Sequence, residues 1–168
     1  MTAPIIITAE MGKADQAWAN YLRRKYFPVE RNFIEAHITL FHHLPPGHLP
    51  EIKSRLAALA ADYSAPVAHV QDVMFLGRGV AFRVECPGLI AMRAELADAF
   101  QGVLIPQDQA PPKLHITIQN KVEPSIAKAL YAELSNAFRP RMLSIAGFGA
   151  YYYRGGPWEK IASWTFRG

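Results

Sequence analysis

The sequence predicts an α+β fold of two pseudo-symmetric lobes: a duplicated arrangement of two antiparallel sheets with flanking helices around a central cleft. Three observations carry that prediction. The phrase His-Ile-Thr-aliphatic occurs twice, at 37–40 and 115–118, 78 positions apart (115 − 37). The order strand, helix, His-x-Thr strand, helix, strand also occurs twice. Glycine-rich turns at Gly77-Arg78-Gly79 and Gly155-Gly156-Pro157 join strand-like runs as hairpins, which pair antiparallel.

The elements follow in chain order. Ile5 to Ala9 is a short β-branched run and reads as a buried strand. Asp15 to Phe27 places Trp18, Tyr21, Leu22 and Tyr26 at helical spacing, and Pro28 ends the helix. Glu35 to Phe41 is the first motif strand, and Pro45-Pro46-Gly47 forces a turn after it. Leu49 to Tyr63 is the clearest helix, with Ile52, Leu56, Leu59 and Ala60 in one stripe and Pro50 in its first turn. Pro66 to Leu76 and Val80 to Cys86 form a hairpin, and Leu89 to Phe100 is helical, its turns marked by Ile90, Arg93, Leu96 and Ala97. Lys113 to Gln119 is the second motif strand and Ser125 to Phe138 a helix. Met142 to Tyr153 and Trp158 to Phe166 close the chain as a hairpin. The predicted organisation is one domain over 1–168, with pseudo-repeat lobes at 5–76 and 80–153 and a closing strand at 158–166.

Composition bounds the function. The chain has 168 residues, 51% hydrophobic and 19% charged, which suits a packed domain rather than disorder. The net charge of +4 mildly favours a polyanionic partner but forms no run or tail. Cys86 is the one cysteine, so an intrachain disulfide and a thiolate zinc cluster are excluded, as expected of a cytoplasmic protein. No stretch approaches bilayer length and the apolar N-terminal run is too short for a signal peptide, so no membrane is expected; no obligate protein partner is evident in the sequence.

The motifs carry the chemistry. On a strand, side chains alternate faces, so His and Thr of each phrase share one face while the two aliphatics anchor the other. A lone His-x-Thr arises by chance on the order of a few tenths of a time in a chain this long; its repetition with the same aliphatic companions is the informative part. An imidazole and a hydroxyl can hold a phosphate oxygen, and two facing pairs can move protons at both ends of a phosphodiester. His37 and His115 are therefore the candidate catalytic residues, and Thr39 and Thr117 the candidate phosphate-binding ones.

These motifs, in a duplicated α+β chain of this length, resemble the 2H phosphoesterase superfamily. The run from His37 to Pro46 is similar to its bacterial 2′-5′ RNA ligase branch, which includes RNA 2′,3′-cyclic phosphodiesterases. The resemblance implies metal-free, cofactor-free chemistry on RNA or small nucleotides bearing 2′,3′-cyclic phosphates or 2′-5′ linkages. His42-His43-Leu44-Pro45 departs from the Phe-Leu-Gly continuation common in the ligase-named members, which leaves the subgroup open.

The same residues admit other readings. His37, His42, His43 and His48 do not make a metal set, because adjacent histidines point opposite ways on a strand and no carboxylate or thiolate completes them. A non-catalytic RNA-end or nucleotide binder is a second class of function, but a binder gains little from two proton-exchanging histidines. Period two extends the cleft face to Glu35 and Phe41 in one strand and Lys113 in the other. Tyr151, Tyr153 and Arg154 end a strand near the cleft, where an aromatic can stack on a base. Glu35 beside His37 predicts an imidazolium there, and Lys113 beside His115 a neutral imidazole, which assigns His37 as general acid and His115 as general base.

Overall fold

The structure is a computed structural model that describes residues 3–168. Eight strands form two four-stranded sheets in which every neighbouring pair is antiparallel. The first contains β1 (Ile5–Met11), β2 (Ile38–Leu44), β7 (Ile145–Tyr152) and β8 (Glu159–Thr165), in the order β2-β1-β7-β8. The second contains β3 (Ala68–Phe75), β4 (Val80–Glu85), β5 (His115–Gln119) and β6 (Arg141–Leu143), in the order β5-β4-β3-β6. Both motif strands, β2 and β5, are thus edge strands, and these two edges approach each other.

The helices are α1 (Lys13–Tyr26), α2 (Leu49–Asp62), α3 (Pro87–Ala99), the short α4 (Pro106–Gln109) and α5 (Pro124–Ala137). Four of them, α2 to α5, start with a proline in the first turn, where its missing N–H has no partner to lose. Helix α1 leaves the first sheet and packs on β5 of the second, with Trp18 stacked on Phe82 at 5.2 Å and Phe82 on Phe138 of the α5 end at 5.6 Å. Helix α2 covers β7 and β8 of the first sheet. One contiguous apolar core joins both sheets, with Ile5, Ile7, Ile38, Leu40, Ile116 and Ile118 all at 0–1% exposure. Burying each such side chain is worth roughly 1.5–3 kcal/mol.

The spatial lobes differ from the two halves of the chain. Strand β3, from the first half, joins the second sheet, because the Gly77–Gly79 turn pairs it tightly with β4. Strand β7, from the second half, joins the first sheet between β1 and β8. The predicted single strand at Met142 to Tyr153 is two strands broken at Ser144, where the chain passes from one sheet to the other. The Ser144 N–H donates to the Asp15 carboxylate at 2.7 Å, its carbonyl accepts the Gly12 N–H at 3.0 Å, and Asp15 also pairs with Arg141 at 2.9 Å. A polar crossing point of this kind leaves no periodicity in the sequence.

Candidate active site

The two histidines are held in the same way. His37 stands immediately before β2 and His115 opens β5. His37 Nδ1 lies 2.9 Å from the carbonyl of Glu35, and His115 Nδ1 lies 2.7 Å from the carbonyl of Lys113, in each case two residues upstream. A carbonyl only accepts, so Nδ1 is the protonated nitrogen of each neutral ring, and Nε2 is left for chemistry. Both rings are half-buried, and they are near enough for a charge on His115 to oppose one on His37. Thr39 and Thr117, two residues further along their strands, are half-buried as well.

A cleft of about 750 Å³ opens beside His37, bounded by α1, the loop at 33–37 and the first sheet. Trp158 packs against the His37 ring with centroids 4.5 Å apart, and Tyr151 lies 5.6 Å from Trp158. The cleft wall carries a polar network centred on Glu10, whose Oε2 accepts from the Ser163 hydroxyl at 3.0 Å and from Tyr151 and Lys160 at 3.3 Å. Burial and the Glu10 carboxylate push the Tyr151 hydroxyl up to about 12, so it is a donor throughout the physiological range.

Burial pushes the His37 imidazole down to about 4; the Glu35 carbonyl works against this, and the charges of Arg23, His115 and His42 add to it. The expectation that Glu35 favours an imidazolium is therefore overturned. Glu35 lines the cleft, but its carboxylate accepts the Asn20 side-chain N–H at 2.9 Å, and it acts on His37 through its backbone. Lys113 is exposed and likewise serves His115 through its carbonyl.

Of the other expected cleft residues, Tyr151 lies in the wall and three do not. Phe41 is fully buried beneath the Arg93 guanidinium, 4.1 Å from its ring centroid. The cause is a bulge: Thr39 and Phe41 pair with the adjacent residues Thr8 and Ile7, so alternation breaks between them and Phe41 turns into the core. Tyr153 follows the end of β7 and is tied by its N–H to the Pro4 carbonyl at 3.0 Å. Arg154 bridges the β7–β8 turn, 2.7 Å from Glu159 and over the Tyr152 ring.

Sequence reasoning missed the groups that brace the motif strands. Asp108 of α4 is fully buried, and its carboxylate accepts the backbone N–H of His42 at 2.9 and 3.0 Å, that of His43 at 3.0 Å and His42 Nδ1 at 3.0 Å. It thereby locks the end of β2 to the approach to β5. No local signal marks an aspartate whose partners lie 66 residues away. Trp158 and Glu10 were also missed; the only signal for Trp158 was its place at the start of the closing strand. Among the described residues, no three histidine, cysteine, aspartate or glutamate side chains converge as ion ligands, and no helix is long and apolar enough to cross a membrane.

Comparison with known proteins agrees with this architecture. The crystal structure of TT0787 of Thermus thermophilus superposes with a TM-score of 0.67 at 18% identity, covering 100% of this chain and 99% of that one. E. coli LigT complexed with 3′-AMP gives 0.64 at 14% identity with 100% of both chains covered, and a structure described as a phosphoesterase gives 0.59 at 18% with the same coverage. No curated protein matches the sequence. The model of the 2′-5′ RNA ligase superfamily matches residues 12–157, a span that holds both His-x-Thr motifs, the braced edge strands and most of the cleft wall. That match covers well over half of the chain, and the chain belongs to the 2′-5′ RNA ligase superfamily.

Proposed function

We propose that this protein is a metal-independent phosphoesterase that opens 2′,3′-cyclic phosphates or 2′-5′ phosphodiester bonds in RNA or small nucleotides, and that can run in reverse as a 2′-5′ RNA ligase. The observation that carries this reading is the matched tethering of the two histidines, each with Nδ1 on a carbonyl and Nε2 unspent. His37 and His115 are its catalytic residues, and Thr39 and Thr117 its phosphate-binding ones.

The environment of His37 supports one assignment of roles. An imidazole pushed down to about 4 is neutral at working pH, so His37 is the base in hydrolysis. Its Nε2 takes the proton of a water that attacks phosphorus in line. The bond from phosphorus to one ribose oxygen breaks, and His115, which for this step must carry a proton on Nε2 as well as on Nδ1, gives that oxygen the Nε2 proton. The threonine hydroxyls donate to the non-bridging oxygens, where charge grows in the transition state. With a ribose hydroxyl in place of water the same displacement joins RNA ends: His37 takes the hydroxyl's proton, the new phosphorus–oxygen bond forms, and His115 protonates the ribose oxygen that leaves. Trp158 and Tyr151 offer aromatic faces to the nucleoside beside His37, in keeping with the 3′-AMP held by the like-folded LigT. Net charge and a single reduced cysteine suit RNA processing in the cytoplasm.

The test is a screen of the four 2′,3′-cyclic mononucleotides, 2′-5′ dinucleotides and RNA ending in a cyclic phosphate, run with and without chelator. Turnover of at least one class, unchanged by chelator, is expected. Binding without turnover across the screen would favour the non-catalytic binder, and loss of activity in chelator a metal-dependent hydrolase.

A further inference from the structure

Two deeply buried arginines repeat the pseudo-symmetry of the histidines. Arg23 lies on α1 and Arg93 on α3, the helices that lead from the first strand of each half to its motif strand, and they are 4% and 3% exposed. Arg23 donates from Nε to the Asn32 side chain at 2.8 Å and to the Ile34 carbonyl at 3.0 Å, both on the approach to His37. From Nη1 it donates to the carbonyl of Thr117, in the opposite motif strand, at 2.9 Å. Arg93 mirrors this. Its Nη2 donates to the Asp108 carbonyl at 2.6 Å, on the approach to His115, and its Nε to the carbonyl of Leu40, in the opposite motif strand, at 3.1 Å. Each guanidinium lies 4.1 Å over a phenylalanine ring, Phe27 for Arg23 and Phe41 for Arg93.

We propose that Arg23 and Arg93 are paired positioning residues that cross between the motif strands and set the spacing of His37 and His115 over the phosphate. An edge strand has one flank without a ladder partner, so β2 and β5 need another device to fix their mutual distance. A planar fork that binds two carbonyl-bearing segments at once supplies it, and lysine cannot reproduce that geometry. Burying a cation is costly, and desolvation lowers both guanidinium pKa values, to about 10 for Arg23. A purely structural link could have been made more cheaply by an apolar pair.

The two arginines differ in one respect. Arg23 also acts on His37 through its charge, whereas the field of Arg93 goes to Asp108. The other charged or titratable groups facing His37 are His42 of β2 and His115 of β5, and, around the cleft, Glu10, Lys13, Glu35, Tyr151 and Lys160. Removing the Arg23 charge therefore raises the His37 pKa, and removing that of Arg93 leaves it in place.

The inference rests on the proposed function for its kinetic readout, and NMR titration of His37 supplies a second readout that needs no turnover. Arg23→Met and Arg93→Met are expected to lower kcat on a 2′,3′-cyclic nucleotide by about 10²-fold, the loss typical of a misplacement near 1 Å, with KM changed much less. In Arg23→Met the acid limb of kcat/KM and the His37 titration both move to higher pH. In Arg93→Met neither moves, and in Arg23→Lys, which keeps the charge and the fold, the limb stays at its wild-type position while kcat remains reduced. Full kcat in both methionine variants, or an unmoved His37 titration in Arg23→Met, overturns the proposal. Should Arg23→Met fail to fold, reduced kcat with an unmoved limb in Arg23→Lys decides for it and wild-type kcat against it. If the wild type turns over no substrate, the proposed function fails, and the titrations of the folded variants still decide the electrostatic role of Arg23.

Discussion

Removing the Asp108 carboxylate should cost a large part of the protein's stability. In Asp108→Ala the backbone N–H groups of His42 and His43 and the His42 Nδ1 proton lose the acceptor they hold at 2.9–3.0 Å. Each stranded donor costs about 1–3 kcal/mol, and His43, being exposed, regains part of that from water. The His42 ring, 39% exposed, regains part as well, so the sum is about 3–5 kcal/mol, against a total stability of about 5–15 kcal/mol for a domain. Asp108→Asn keeps one acceptor oxygen and should cost about half as much. Urea unfolding followed by circular dichroism reads the loss as a lower midpoint at unchanged slope. The pH dependence carries a second check. Burial alone would raise the Asp108 pKa, but the hydrogen bonds from His42 and His43 outweigh it and the net shift is downward. A depressed carboxylate stabilises fully above its unfolded pKa of about 3.9, and that contribution is lost as pH falls through the folded value. Asp108→Asn should therefore flatten the acid side of the stability profile. A midpoint for Asp108→Ala within about 1 kcal/mol of wild type would refute the bracing argument.

Further outcomes follow from the same contacts. Because His37 must be neutral to act as base, kcat/KM should stay high down to weakly acidic pH and fall as pH drops through about 4; a fall centred near the ordinary histidine value of about 6.5 would contradict its assigned environment. Trp158→Ala removes the ring 4.5 Å from His37, so water reaches the imidazole, and its NMR titration should move upward. A Cβ at Gly79 would stand 1.9 Å from the Gln119 carbonyl oxygen and 2.6 Å from the Asn120 Cα. Gly79→Ala must therefore push β4 and β5 apart and should lower stability by about 1–3 kcal/mol, read from the thermal midpoint.

The legible part of this protein is what its local chemistry dictates. The repeated His-x-Thr phrase, the stripe of Ile52, Leu56 and Ala60 on α2 and the glycine turn before Val80 each specify structure within a few residues, and the two-sheet α+β fold follows from them. Long-range pairing leaves no such local mark. Nothing near Ser144 announces that the chain changes sheets there, since the hydrogen bonds that hold the crossing come from Gly12 and Asp15. Phe41 read as a cleft residue because strict alternation was carried through a bulge that only the pairing with Ile7 and Thr8 reveals. The charge of His37 is hidden for a related reason: Glu35, two positions away, acts through its backbone, while burial decides the shift, and one ring packed on the imidazole, Trp158, lies 121 positions on (158 − 37). One long-range feature does leave a local signal. Arg93 falls in register with Ile90, Leu96 and Ala97 on α3, and a cation on an apolar stripe marks a buried group with work to do.

The central claim is that two histidines, one from each edge strand, share proton transfer across a phosphodiester. The most direct measurement is turnover of a 2′,3′-cyclic nucleotide by His37→Ala, His115→Ala and the double variant, each checked for folding by circular dichroism. Positioned proton transfer contributes about 10²–10⁴-fold per group. Each single variant should lose that much, and the double should be little worse than either because the pair acts as a unit. Folded single variants that both retain wild-type rates on a substrate the wild type turns over would contradict the account.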